Sequence, residues 1–151
     1  GFAIVPTISA VLLQLDLSAH PLEHLRYLTN AGAALPPEHV PALRKRFPQT
    51  KLFLMYGLAE CKRVSYLPPD QLDQRPESVG KAMPNLEVYV VDEDGRQLPA
   101  GEVGELVVRG ANVMRGYWNL PEETERALRP GPVPGERVLH TGDLFRIDEE
   151  G

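Results

Sequence analysis

Apolar positions along this chain follow two kinds of pattern, and the switch between them comes near the middle. In residues 7–17, TISAVLLQLDL, apolar side chains recur at helical spacing, with Pro6 and Thr7 as a start signal. Residues 25–32, LRYLTNAG, read as a short strand running into a turn of small residues. A helix is expected over 36–47, PPEHVPALRKRF, with proline in its first turn and basic residues near its end, where they complement the helix dipole. Pro41 lies near the beginning, so it shifts the start rather than ending the helix. Residues 51–57, KLFLMYG, form a near-continuous apolar run, as expected of a strand buried on both faces.

Strand, helix and strand within residues 25–57 make a βαβ unit, whose crossover sets two parallel strands in one sheet. Both strands then end on the same sheet edge, at NAGAA and YGLAE. Ligands of open α/β sheets bind outside the carboxyl ends of the strands. Turns rich in Gly and Ala also let a flat ligand approach the backbone closely. The two turns are therefore a candidate site on geometry alone.

Beyond SVGKAMPN (78–85) the texture changes. LEVYVVDEDGRQLPAGEVGELVVRG alternates short Val-rich strands with Asp-Gly and Pro-Ala-Gly turns, the pattern of an antiparallel subdomain. NLPEETERAL (119–128) is a short helix with Asn119 as N-cap and Glu122 three residues later. RVLHTGDLFRID returns to strand. The expected fold class is α/β: a partial parallel βαβ sheet unit followed by a smaller antiparallel β subdomain. The boundary falls within 76–86, separating an α/β portion, 1–80, from a β-rich portion, 81–151.

Composition narrows the function classes. With 151 residues, 42% hydrophobic and 25% charged, the chain suits one ordinary globular domain. A formal charge of −5 argues against a nucleic-acid partner or an anionic membrane surface. The densest basic cluster, LRKRF (43–47), reads as a solvated helix face. The single cysteine, Cys61, excludes an intramolecular disulfide and suits a reducing compartment, so a cytoplasmic location is expected. No apolar stretch approaches the ~20 residues that span a bilayer, and no signal peptide opens the chain. The first residue is Gly rather than Met, which points to a processed or excised piece.

Four features bear candidate chemistry. MYGLAE (55–60) sets Tyr56, Gly57 and Glu60 at the mouth of the apolar strand, where Glu60 could meet a cation or a hydroxyl. A plain strand-to-loop turn with a solvated Glu is the alternative. HTGDL (140–144) carries Asp143 after a tight turn. A carboxylate there can accept both hydroxyls of a ribose, or simply cap its own turn. GELVVRGANVMRGYWN reads as structural, with Trp118 packed as the anchor of the β subdomain. His20 and His24 stand at i, i+4, a metal-ligand spacing. Pro21 disturbs any helix there and no third ligand is evident, so a surface pair is favoured. Cys61 has no partner that marks it as a nucleophile.

Taken in order, these motifs resemble the adenylate-forming superfamily of acyl-CoA synthetases, aryl-CoA ligases, peptide-synthetase adenylation domains and luciferases. NAGAALP is similar to its adenine loop and MYGLAE to its YGxTE motif. SVGKAMPN, GELVVRGANVMRGYWNLPEET and LHTGDLFRIDEEG match three more, so five motifs run in order over nearly the whole chain. The resemblance implies that Tyr56 stacks on adenine and that Gly32, Ala33 and Ala34 line the adenine and acyl side through their backbone. Gly57 and Ala59 continue the nucleotide-binding turn. Glu60 would coordinate Mg2+, a hard cation suited to carboxylate and phosphate oxygens. Asp143 would grip the ribose hydroxyls.

The family reaction joins a carboxylic acid to ATP, releasing pyrophosphate and forming acyl-AMP, and then usually a thioester with coenzyme A. A carboxylate is a weak nucleophile facing a charged phosphate, so catalysis depends on positioning and charge neutralisation. Two positions depart from the family pattern. Ala59 replaces a Thr whose hydroxyl meets the α-phosphate, a loss of about 1.5–3 kcal/mol if nothing replaces it. Leu35 replaces the adenine-loop Pro, with Pro36 one place later.

The resemblance also implies that the loop cradling the β- and γ-phosphates lies upstream of Gly1 and that the adenylation lysine lies downstream of Gly151. No catalytic residue is therefore expected within the chain, which reads as a central fragment of the large N-terminal domain. Alone it is expected to bind nucleotide weakly, not to turn over, and to self-associate through exposed sheet edges. The expected partner is a small-molecule carboxylic acid. The rival reading is a non-catalytic nucleotide-binding or assembly module. Within the superfamily, a peptide-synthetase adenylation domain or a luciferase stays open.

Overall fold

In the computed structural model, which describes residues 1–20 and 22–151, the chain divides into two units. The first comprises Gly1–Gly57 and Ser65–Lys81; the second comprises Leu58–Val64 and Ala82–Gly151.

The first unit is built on a sheet of order β1-β2-β3-β4-β5: Phe2–Ile4, Tyr27–Asn30, Lys51–Tyr56, Ser65–Leu67 and Lys81–Ala82, the last of which lies at the unit boundary. β1, β2 and β3 are parallel neighbours, and β4 runs antiparallel to β3. Helix α1, Pro6–Gln14, connects β1 to β2, and α2, His39–Arg46, connects β2 to β3. The expected βαβ unit is therefore present and is preceded by a second one. α2 starts at His39 rather than at residue 36, so Pro41 sits in its first turn, where a missing N–H breaks no helical bond. α1 stops at Gln14, short of the expected residue 17. Beyond it, Asp16 Oδ1 accepts the Ser18 N–H at 2.9 Å, a local turn that competes with another helical turn.

Both helices cover one face of the sheet. Val40, Leu43 and Phe47 of α2 and its end pack with Ile4, Leu28, Leu52 and Leu54 from the strands, and Leu12 and Leu13 of α1 close over them. β3 is not buried on both faces as its apolar run suggests. Leu52 and Leu54 are buried, whereas Phe53 and Met55 are half-buried. On that second face the Phe53 ring packs against Tyr27 and Tyr66, each at 6.4 Å between centroids. The rings shield one another without a covering helix among the described residues of this unit.

The second unit is an antiparallel sheet of order β6-β7-β9-β8: Leu86–Val91, Val103–Gly110, Arg137–Arg146 and Leu128–Pro130. Apolar residues are buried on both faces, Val90, Leu106, Val108 and Leu139 on one and Val91, Val107 and Val138 on the other. Arg109 on β7 binds Glu136 and Glu87 at 2.7 and 2.6 Å. Those two bonds, Glu136's first, hold its guanidinium pKa above the ordinary value.

Two expectations fail here. Helix α3 spans Pro121–Ala127 with Leu120, not Asn119, at its N-cap. Asn119 stands at φ 55°, in the left-handed region, and Pro121 sets the helix start. Thr124 Oγ1 instead accepts the Tyr117 N–H at 2.9 Å and donates to the Leu120 carbonyl at 2.8 Å. Trp118 is no buried anchor: it is 90% exposed. The Thr124 contact and the left-handed Asn119 fix the backbone on both sides of Trp118, leaving its ring in solvent. No described helix is long and apolar enough to cross a membrane.

Candidate functional site

In the first unit, β2 and β3 pair Asn30 with Leu54, so their carboxyl ends lie side by side. Gly32, Ala33 and Ala34 follow β2 and are exposed; Tyr56 ends β3 and is half-buried, as is Gly57. Gly32 adopts φ +88°, a conformation that glycine takes without strain. Asn30, 3% exposed, supports this turn from behind: its Nδ2 donates to the Ala33 carbonyl at 2.9 Å. Its Oδ1 is buried without a hydrogen-bond partner in the structure. The sequence reading missed Asn30, although a polar residue closing an apolar strand is a visible signal.

Ala59 and Glu60 belong to the second unit. Ala59 is exposed and Glu60 half-buried. The hydroxyl that meets Glu60 is Tyr117's, donating to Oε1 at 2.6 Å. That bond, followed by burial and the Glu60 charge, raises the Tyr117 phenol pKa. The Met114 N–H donates to the Glu60 carbonyl at 2.6 Å, and Asn112 Nδ2 to the Cys61 carbonyl at 2.6 Å. The 112–117 segment thus holds Glu60 by side chain and backbone. Cys61 is buried and unpaired, and burial foremost raises its thiol pKa, which suits a bystander rather than a nucleophile.

Asp143 is exposed and lies within β9, not after a turn between strands. Its tight local geometry is a bulge. Val107 pairs with His140 and Glu105 with Leu144, so two steps along β7 face four along β9. The excess is taken up over Thr141, Gly142 and Asp143, with Gly142 at φ +74°. Thr141 Oγ1 donates to the Leu106 carbonyl at 2.9 Å and accepts the Asp143 N–H at 3.1 Å. Glu105 Oε1 accepts the Gly142 N–H at 3.0 Å, and its Oε2 meets His140 Nδ1 at 2.9 Å. Burial raises the Glu105 pKa, but the bonds from His140 and Gly142 outweigh it and leave the carboxyl below its ordinary value.

His20 and His24 are both exposed and lie outside any described helix, so their spacing aligns nothing; Pro21 is outside the described residues. Among the described residues no three His, Cys, Asp or Glu side chains are grouped to hold a metal ion.

The family described as AMP-binding enzyme matches residues 1–118. The chain belongs to that family. Surfactin synthase subunit 1 of Bacillus subtilis is 40% identical over 138 residues, covering 89% of this chain and 4% of that protein. A long-chain-fatty-acid–CoA ligase of Escherichia coli is 37% identical over 123 residues, 81% of this chain and 21% of the ligase. The crystal structure of VinN superposes with a TM-score of 0.87 and 44% identity, over 99% of this chain and 37% of VinN. The chain thus spans a minor part of each relative. The AMP-binding enzyme match includes Gly32–Ala34, Tyr56–Glu60, Glu105 and Tyr117, and it ends before the Asp143 bulge.

Proposed function

We propose that this AMP-binding enzyme segment belongs to a ligase that activates a carboxylic acid by adenylation. In that reaction a carboxylate oxygen attacks the α-phosphorus of ATP and pyrophosphate leaves; a thiol, that of coenzyme A, then attacks the acyl carbon of the acyl-AMP, forming the thioester and releasing AMP and the thiol proton. The observation that carries the reading is the pair of small-residue turns ending β2 and β3 inside the stretch matched to the family. The fatty-acid–CoA ligase relative supports a carboxylic acid substrate and a coenzyme A acceptor.

Residue roles follow from chemistry and position. Gly32, Ala33 and Ala34 offer backbone to adenine, Tyr56 a ring to stack on it, and Gly57 room to turn. Asp143 accepts the ribose hydroxyls. Glu60 fits Mg2+ as a hard oxygen donor whose other contact, Tyr117, is itself a hydroxyl. Mg2+ usually keeps several waters and draws the rest of its shell from phosphate, so one protein carboxylate suffices. The ion would screen phosphate charge as the carboxylate approaches. Ala59 supplies no hydroxyl to the α-phosphate. The unpaired Cys61 suits a reducing, cytoplasmic setting, and the half-buried second face of the first sheet, with Tyr27 and Tyr66 exposed on it, suits self-association of this chain.

The test is carboxylate-dependent exchange of pyrophosphate into ATP, run on this chain and on a longer one carrying the further sequence its relatives have. The expected result is exchange by the longer chain with an acid from a fatty, aryl and amino-acid panel, and none by this chain alone. A longer chain that binds ATP yet exchanges with no acid would sink the ligase reading and favour a binding module.

A further inference from the structure

We propose that Glu105 is the positioning residue for Asp143: its carboxylate bridges the His140 ring and the Gly142 backbone and so fixes the bulge that presents Asp143. This rests on reading Asp143 as the carboxylate that accepts ribose hydroxyls. Asp143 is exposed, and where its side chain starts from is set by the backbone that carries it. That geometry is irregular, because β9 spends four positions where β7 spends two. Such an insertion can migrate along a strand, and a shift by one residue turns the side chain to the opposite face. Glu105 pins it at two points, Gly142 N–H at 3.0 Å and His140 Nδ1 at 2.9 Å, on either side of Thr141. An ionised carboxylate only accepts, so both partners are donors and both bonds are charge-assisted. Thr141 adds a weaker pin through the Leu106 carbonyl. Arg129 on β8 is the other charge acting on Glu105, and it favours the ionised form.

The experiment is an NMR titration of the chain with AMP and with 2′,3′-dideoxyadenosine monophosphate, which lacks the hydroxyls Asp143 would bind. In the unaltered chain AMP is preferred about tenfold or more, the scale of a lost charge-assisted hydrogen bond. Glu105→Ala should bring the two affinities within about threefold of each other while leaving the dideoxy ligand's own affinity unchanged. Glu105→Gln, which keeps the shape but can satisfy only one donor through its carbonyl oxygen, should retain part of the preference, and it decides the matter if Glu105→Ala does not fold. A folded variant that keeps the full AMP preference, or that weakens both ligands equally, overturns the proposal and leaves Glu105 a stabilising residue only. Loss of preference in the unaltered chain, or its survival in Asp143→Asn, instead removes the ribose role of Asp143 and the positioning role with it.

Discussion

At the ends of β2 and β3 the candidate ligand surface is backbone. Gly32, Ala33 and Ala34 offer almost no side chain, and Asn30, buried behind them, supports the turn. At the bulge of β9 the arrangement is reversed. There Asp143 stands in solvent while Glu105, His140 and Thr141 tie the backbone beneath it by side-chain hydrogen bonds. The first surface depends on the absence of bulk and is indifferent to charge. The second depends on a carboxylate and tolerates bulk poorly only where the backbone is left-handed.

Removing the floor beneath either surface should have the largest effect. Leu52→Ala in β3 and Leu106→Ala in β7 each delete a side chain about 2% exposed. Each should cost about 2–5 kcal/mol in urea unfolding. Thr141→Ala comes next, at about 1–3 kcal/mol, because the Asp143 N–H loses its acceptor and the Leu106 carbonyl its donor. The two regions should then converge in a third pair. Gly32→Ala and Gly142→Ala both force a side chain into the left-handed region, yet the added methyl meets at most Val5 at 3.8 Å in one case and nothing within 4 Å in the other. Each should cost about 1–2 kcal/mol, from backbone strain alone.

The smallest effect separates the regions again. Glu105 has a folded pKa below its unfolded value, so its contribution is present above about pH 4.3 and is lost as pH falls through the lowered folded pKa. Glu105→Gln should flatten the acid limb of a stability-versus-pH curve. Gly32→Ala should leave that limb unchanged, since Gly32, Ala33 and Ala34 have nothing to titrate.

How far the chain could be read from its sequence follows the same division. β2 and β3 were visible because their apolar stretches end in small-residue turns, α2 because proline opens it and basic residues close it, and the parallel pairing followed from the crossover. β1 and β4 were not, since three-residue strands owe their existence to neighbours rather than to a pattern of their own. An apolar ring reveals that it can be buried, not that something covers it, which is why Trp118 and the second face of β3 were misread. Asn119 fits an N-cap rule that only the backbone angle overturns. Asp143 stood out within TGD. Glu105 did not, because its two partners lie 35 and 37 residues away in sequence and meet it only through the β7–β9 register. A charged residue interrupting the apolar run GELVV was the available signal.

The central claim, that Asp143 belongs to a nucleotide site, is tested most directly by titrating the chain with AMP beside its Asp143→Asn variant. The account predicts saturable binding that weakens about tenfold or more in the variant, with unfolding unchanged. Equal AMP affinity in the two proteins would contradict it.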